Sequence, residues 1–392
     1  MTVQIKQDTA GVATFVAGTS GAATLTLPIT TGTIALLADI TGVTGFTGTQ
    51  NVAAPNATVN ASRLLVSATS VNADFVLQPK GTGSVLAQLP DSTTTGGDKR
   101  GQQSVDLQTK RNVATQVASG SQSVIAGGYQ NTADGVCSNV SGGHDNIASG
   151  NRSVVGGGRG NTSSGSQASV VSGGRSNTAS GSYATVGGGQ NVRATYNNAT
   201  SSGGYGNLAS GYGATISGGF SNTASGKYSS VPGGGWATTR GIHGMAAIAS
   251  GRFNTIGDSQ RGQYVLRGLT EDATAKILTS DQAAASTTNQ VVLPNNSSYI
   301  VRGLINSHRT DVIGTSATWS FLGTIRRGAN AAATSVVAAI TATLIAQDAG
   351  ATTWAVAITA DTTNGCLKVQ FTGQASRTIK TVCLVETVEV TG

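Results

Sequence analysis

The sequence has very little glutamate: among 392 residues it occurs three times, as Glu271, Glu386 and Glu389. Charged residues are 10% of the chain and aromatics 5%, and there are three histidines, six prolines and three cysteines. Few strong helix formers and many Ser, Thr, Asn and Gln favour strands and turns over helices, so the chain reads as almost entirely β. Cys137, Cys366 and Cys383 are an odd number without metal-ligand spacing, which excludes a disulfide framework and predicts free thiols in a chain folded in cytoplasm. No apolar run reaches membrane-spanning length, and the opening MTVQIKQDTAG has no signal-peptide pattern, so no membrane insertion is expected. The net charge of +7 comes from Lys and Arg scattered along the chain, which reads as a solvated basic surface and not as a site for specific nucleic acid.

The same scarcities bear on catalysis. Glycoside hydrolysis ordinarily takes a spaced carboxylate pair. The middle of the chain offers only Asp134, Asp145 and Asp258, and the later acids Glu271, Asp272, Asp281, Asp311, Asp348 and Asp361 mostly sit in turn contexts. No G-x-S-x-G, Cys/His cluster or phosphate loop is present, and His144, His243 and His308 are isolated. The sequence therefore predicts no enzyme, no catalytic residue, no metal and no cofactor.

What the chain has in abundance is glycine, 55 residues, and much of it is periodic. ASGSQSVIAGGYQNT, ADGVCSNVSGGHDNI and ASGNRSVVGGGRGNT follow one another, and one series of positions runs Gly120, Gly135, Gly150, Gly165, Gly181, Tyr196, Gly211, Gly226 and Gly241. Each step is 15 residues except one of 16, where Ala168 reads as an insertion. A fixed period of this length predicts a solenoid whose repeats stack on their neighbours. The expected core is Val124, Val140, Val155, Val171, Val186, Ile216 and Val231. One or two β-branched residues per turn is thin, and such a rod gains by associating with copies of itself. Asn131, Asn146, Asn161, Asn177, Asn207 and Asn222 are placed to form a ladder that Val192 interrupts. At one strand spacing per turn, nine turns predict a rod of about 40 Å.

After each Gly-Gly comes a variable residue: Tyr129, His144, Arg159, Arg175, Gln190, Tyr205, Phe220, then Gly235 beside Trp236. In a stacked solenoid these form one line. Aromatic and Arg side chains in a line suit gripping sugar rings; packing successive turns, or lining a subunit interface, is the other reading. Trp236 and GIHGMAAIASGRFNTIGD read as a degenerate last turn that caps the stack.

The chain divides into three parts. Residues 1–117 alternate in short strands, with a hairpin expected at PKGTG (Pro79, Gly81) flanked by Val76, Leu77, Val85 and Leu86; residues 91–117, with Lys99, Arg100, Lys110 and Arg111, read as a solvated join. Residues 118–258 are the repeat shaft. Residues 259–392 carry about seven strand-like runs, among them QYVLRGL, SYIVRGLINS, ATWSFLGTIRR and TIKTVCLVETVEV, the pattern of an antiparallel β-sandwich; residues 329–346 fit strand or helix. Candidate contacts in this last part are Arg302, His308, Arg309, Trp319, Arg326, Arg327 and Trp354.

TLPITTGTIALLADI and VLQPKGTGSVLA resemble phrases of bacteriophage tail and fibre proteins. The GG-x-x-N-x-A-S-G pattern with its S-x-V strand, over residues 116–255, resembles the head repeat of trimeric autotransporter adhesins, without that family's coiled-coil stalk or anchor barrel. These resemblances imply a left-handed parallel β-roll in a homotrimer, and a phage virion fibre assembled in the host cytoplasm. Its N-terminal region would dock on another virion protein, and its binding surface would meet a host surface glycan. A capsid-attached head fibre or decoration protein, and a polysaccharide depolymerase, are the alternatives.

Overall fold

The computed structural model describes residues 76–312 and 314–392, together with the backbone of five strands before them. Gln4–Gln7, Ala13–Val16 and Leu25–Leu27 form an antiparallel three-stranded sheet, and Phe46–Asn51 pairs antiparallel with Ala61–Val66. The TTGT phrase of the proposed attachment region lies outside the described residues. The chain separates into two compact units, Met1–Gln78 and Pro79–Gly392.

The second unit begins as a parallel β-solenoid of about nine turns. One wall stacks Val85–Leu86, Val105–Asp106, Val124–Ile125, Asn139–Val140, Val154–Val155, Val170–Val171, Thr185–Val186, Thr200–Ser201, Thr215–Ile216 and Ser230–Val231 in parallel register. The other stacks Thr132–Ala133 through Thr223–Ala224. Val154 pairs with Val170, sixteen residues on, so the extra residue is absorbed at the corner, where Ala168 adopts φ 45°.

Strands of two residues show one side chain to the core and one outward. Ile125, Val140, Val155, Val171, Val186, Ile216 and Val231 point in from one wall and meet mostly alanines from the other, Ala133, Ala148, Ala179, Ala194, Ala209 and Ala224. Val124 is half-buried, with Ile125 the inward residue of its turn, which corrects the sequence assignment by one position. Burying one such side chain contributes about 2 kcal/mol, against roughly 1–2 kcal/mol of backbone entropy for each residue ordered. The apolar core therefore cannot hold a turn by itself, and backbone pairing and buried asparagines must supply the rest.

The asparagine ladder is present. Asn131, Asn146, Asn161, Asn177, Asn207 and Asn222 are fully buried. Glycine permits this close stacking: a Cβ on Gly143, at φ +86°, would lie 2.2 Å from the Gly158 carbonyl.

Two sequence expectations fail at the N-terminal end of this unit. The turn at Pro79 to Gly83 exists, closed by the Gly83 N–H donating to the Lys80 carbonyl at 3.1 Å, but Val85–Leu86 pairs in parallel with Val105–Asp106 and no hairpin forms. Residues 91–117 are not a solvated join. Arg100 and Arg111 are buried and both bind the Asp106 carboxylate, at 2.8 and 3.1 Å. Gln108 takes the ladder position before Asn131, accepting its N–H at 2.9 Å. A buried ionic and amide plug thus closes the solenoid end that alanines and valines leave open.

At the other end, Ala246–Ile248 follows Ser230–Val231 in parallel and pairs antiparallel with Ser259–Thr270. The sheet continues without a break through Ile379–Thr391, Ser297–Arg309 and Ser316–Arg327 to Thr334–Val336 and Thr343–Gln347. A second sheet, in which Cys366–Thr372 pairs with Lys276–Ile277, Val291–Val292 and Ala355–Asp361, packs on its inner face. Trp319 and Trp354 both pack edge-on against Phe371, at 6.1 and 5.9 Å between ring centroids. Residues 329–346 contain one short 3-10 turn, Ala331–Ala333, the strand Thr334–Val336 and the start of Thr343–Gln347, joined by irregular chain.

Candidate functional site

The residues after each Gly-Gly form one line on the solenoid surface. Tyr129, His144, Arg159, Arg175, Gln190, Tyr205, Phe220 and Gly235 are joined in succession by parallel bridges. The rings stack where they adjoin: Tyr129 on His144 at 4.1 Å, Tyr205 on Phe220 at 4.9 Å, and Phe220 against the half-buried Trp236 at 4.9 Å. Lys110 Nζ sits 5.7 Å from the Tyr129 ring centre and the Arg252 guanidinium 5.1 Å from that of Trp236. Tyr129, Tyr205 and Phe220 keep about two-fifths of their surface in water, so the stacking that joins the turns leaves ring faces or edges free. Near the N-terminal end, His144 Nε2 lies 2.6 Å from Gln130 Oε1 and 2.8 Å from Asp145 Oδ2.

A second aromatic row runs along another corner and was missed in the sequence. Tyr196, Tyr212, Tyr228 and His243 meet edge to face at 6.4, 5.5 and 5.7 Å. Lys227 Nζ lies 5.7 and 5.1 Å from the Tyr212 and Tyr228 ring centres. These residues fall zero, one or two places after the repeating glycine series, and that drift hides the row from a search at strict period. The corner tolerates it because residues two places on, such as Tyr228 at φ 56°, adopt the left-handed conformation.

The head candidates are dispersed. Arg302 is exposed and shares the Glu386 carboxylate with Arg261, each at 2.6 Å; Arg326 is exposed on the neighbouring strand. His308 Nδ1 is 3.0 Å from Ser316 Oγ, Arg309 pairs with Asp311 at 2.8 Å, and Arg327 Nη1 donates to the Leu293 carbonyl at 2.7 Å. Trp354 and Trp319 are both buried at 5% exposure, so neither is a surface contact: they fill the gap between the two head sheets.

At the junction of solenoid and head, Glu389 is buried and holds Arg240, with Gln260 Nε2 donating at 2.9 Å, Tyr264 Oη at 3.0 Å and Thr387 Oγ1 at 2.6 Å. Burial and the adjacent Glu389 charge push the Tyr264 hydroxyl well above its ordinary range. This cluster clasps the last solenoid turn to the head. Elsewhere the carboxylates with displaced titration are held low. Arg302 and Arg261 hydrogen bonds depress Glu386. Burial by itself would raise Asp258, but N–H groups from Asn254, Thr255 and Phe253 outweigh it and hold the acid at about 2. Among the described residues no group of three His, Cys, Asp or Glu side chains is placed to hold a metal, and no helix is long and apolar enough to cross a membrane.

No protein-family model and no curated protein matches this chain. Among solved structures it is similar to the tailspike protein of Acinetobacter baumannii phage AM24, at 10% identity and a TM-score of 0.20, over 68% of this chain and 53% of that one. The tailspike gp49 of Acinetobacter baumannii bacteriophage Fri1, described as a capsular polysaccharide depolymerase, is 8% identical with a TM-score of 0.20, over 77% and 56%. The tailspike of Acinetobacter phage vB_ApiP_P1 is 10% identical with a TM-score of 0.16, over 79% and 80%. The chain thus spans little more than half of the first two. The sequence expectation that this chain is no enzyme is corrected here: one of the structures it is similar to is a depolymerase, so the exclusion of catalysis does not stand.

Proposed function

We propose that this chain is a bacteriophage tail fibre or spike that holds a host surface polysaccharide. The observation that carries the reading is the line from Tyr129 to Trp236, exposed at Tyr129, Arg159, Arg175, Tyr205 and Phe220, a file of rings and cations at the spacing of stacked turns. Rings with accessible faces suit the apolar faces of sugars, and Arg159 and Arg175 between them suit hydroxyl and acidic substituents. Arg302 and Arg326 add cations on the head. The sequence resemblances support the virion assignment, a docking role for the N-terminal region, and a homotrimer of left-handed rolls. Self-association is also favoured by the outer face of the large head sheet. There Val265, Ile300, Leu304, Leu322, Val382, Val388 and Val390 are between 48% and 69% exposed, and apolar residues gathered on one exposed face mark an interaction surface.

Excess purified protein added to susceptible bacteria before the parent phage tests the reading. Blocked adsorption is expected. Unhindered adsorption by a correctly folded protein overturns it and favours a capsid-attached head fibre.

Cleavage of the bound polysaccharide is the second reading. The observation that favours it is His144, an imidazole stacked on Tyr129 with Gln130 and Asp145 as acceptors and Lys110 nearby, groups suited to moving a proton beside a bound chain. Shortening of host polysaccharide on size-exclusion chromatography, lost in His144→Ala, is the expected result. Unchanged chain length excludes cleavage.

A further inference from the structure

The second aromatic row ends in a cleft at the junction of solenoid and head. Tyr228, His243, Gly244, Val265, Arg267 and Ser280 line it, enclosing about 340 Å³. Two of its polar atoms, His243 Nδ1 and Ser280 Oγ, are buried and have no hydrogen-bond partner. Ser280 as a whole is 7% exposed. An unpaired buried hydroxyl costs about 1–3 kcal/mol unless something binds it, so a polar group that reached past the cleft walls to either atom would remove that cost. The fold fixes both residues from the backbone. His243 donates its N–H to the Thr288 carbonyl at 2.8 Å, and Ser280 donates its own to Asn289 at 2.9 Å.

The surroundings define the chemistry of the occupant. One wall is the Tyr228 ring, 54% exposed and continued outward by Tyr212 and Tyr196. Such a file of rings meets the apolar faces of successive sugar units. Arg267 lines the same cleft, is exposed and takes part in none of the ion pairs among the described residues, and Lys227 lies over the tyrosines. The neighbouring Asp281 carboxylate, which lies within electrostatic reach of His243, is bound by the Ala283 N–H and Asn289 Nδ2 at 3.0 and 2.8 Å, so Arg267 and Lys227 remain for an anionic substituent, and a planar guanidinium suits a carboxylate.

We propose that this cleft is the terminal subsite of a binding groove for an acidic polysaccharide. A carboxylate-bearing sugar sits between Tyr228, His243, Ser280 and Arg267, and the next units run over Tyr212 towards Tyr196. This rests on the polysaccharide reading above and deepens it by naming a site separate from the Tyr129 line and a ligand class.

The test uses the full chain and surface polysaccharide purified from bacteria that the phage adsorbs to, in native form and with its carboxyl groups chemically reduced to alcohols. Binding is measured by calorimetry with Tyr228→Ala, Arg267→Gln and, as comparison, Tyr205→Ala. The native polymer is expected to bind at least tenfold more weakly to Tyr228→Ala and to Arg267→Gln. The reduced polymer is expected to bind the unaltered protein about as weakly, and added salt to weaken only the native polymer. Both substitutions replace exposed side chains, and circular dichroism checks that the β signal is retained. Equal affinity for native and reduced polymer, or undiminished binding by both variants, overturns the proposal. If the unaltered protein still blocks phage adsorption in that case, the polysaccharide reading survives and only this site falls. If the unaltered protein neither binds the polymer nor blocks adsorption, both fall.

Discussion

Asn146 accepts the backbone N–H of Asn161 on its Oδ1 at 3.0 Å, one full turn along the solenoid. Asn161 repeats the relationship with Asn177, and its Nδ2 donates to the carbonyls of Gly157 and Gly174 at 2.8 and 2.9 Å. Each asparagine thus ties its own corner to the next turn. Asn161→Ala leaves the buried Asn177 N–H without that acceptor. A loss of about 2–3 kcal/mol is expected, read as a lower denaturant midpoint. Where Val192 stands in the row, it donates its own N–H to Asn177 but offers nothing to Asn207. Val192→Asn is expected to stabilise by about 1 kcal/mol.

A second row inside the solenoid is occupied alternatively by serine or alanine. Ser123, Ser138 and Ser153 are buried with unpaired hydroxyls, whereas Ala184, Ala199 and Ala214 fill the same place in later turns. Ser169 differs because its Oγ lies 2.8 Å from that of Ser163, and Ser229 because Thr239 lies 2.9 Å away. Ser138→Ala is therefore expected to stabilise by about 1 kcal/mol and Ser169→Ala to destabilise, since it removes the hydroxyl that accepts the buried Gly165 N–H and meets Ser163 Oγ. Opposite signs in chemical denaturation are the readout; the same sign for both contradicts this account.

The apolar outer face of the head gives the proposed homotrimer a local test. Leu304 and Leu384 are opposed across two strands, and Leu322 faces Arg302. Leu304→Glu with Leu322→Glu keeps the inner face intact, because these side chains point away from Phe321 and Ile305. A fall in molar mass by light scattering, with the β signal retained, is expected if copies meet on this face. An unchanged trimer mass places the contact elsewhere.

The repeat made the solenoid, its asparagine ladder and the Tyr129 line legible, because a period copied over many turns fixes which residues stack. Where the period lapses, legibility lapses too. The drift of Tyr196, Tyr212 and Tyr228 within their corner hid the second row. The burial of Arg100 and Arg111 depends on their sharing the buried Asp106 carboxylate and on carbonyls such as those of Gly96, Thr95 and Gln116, which composition does not reveal. Trp354 illustrates a different limit: a tryptophan in an alternating strand region serves equally for a core or a contact, and only its packing on Phe371 decides. Val85–Leu86 carried a turn signal that was real, yet its partner strand lies twenty residues on, beyond what local turn chemistry encodes.

The three thiols should differ sharply in reactivity. Cys137 is exposed at a corner of the solenoid, with φ 56°. Cys366 is buried, and desolvation with the nearby Asp361 charge pushes its thiol up to about 12; burial pushes Cys383 higher still. Thiolate is the reactive form. One thiol per chain is expected to react with an aromatic disulfide reagent in the native protein and three after denaturation. Three reactive thiols before unfolding would contradict the packing of the head.

Acid should loosen the junction of solenoid and head through Asp258. Its carboxylate accepts N–H groups from Phe253, Asn254 and Thr255, at 2.9, 2.6 and 2.7 Å, and its backbone carbonyl accepts the Thr391 N–H at 3.0 Å. The folded acid titrates near about 2 against an ordinary 3.8, so the ionised form is the one that the fold stabilises. That contribution is complete above the ordinary value and is lost as pH falls through the interval down to the folded value. Asp311, held at about 2 by its Arg309 hydrogen bond, loses its contribution in the same interval. The unfolding midpoint is thus expected to hold steady from neutral pH down to about pH 5, to begin falling as pH passes the ordinary 4.5 of Glu386, and to decline most between about pH 3.8 and about pH 2. Asp258→Asn, which cannot carry the charge, should lower the midpoint at neutral pH and flatten that decline. A variant whose acid dependence matches the unaltered protein would show that this loop does not limit the acid stability of the head.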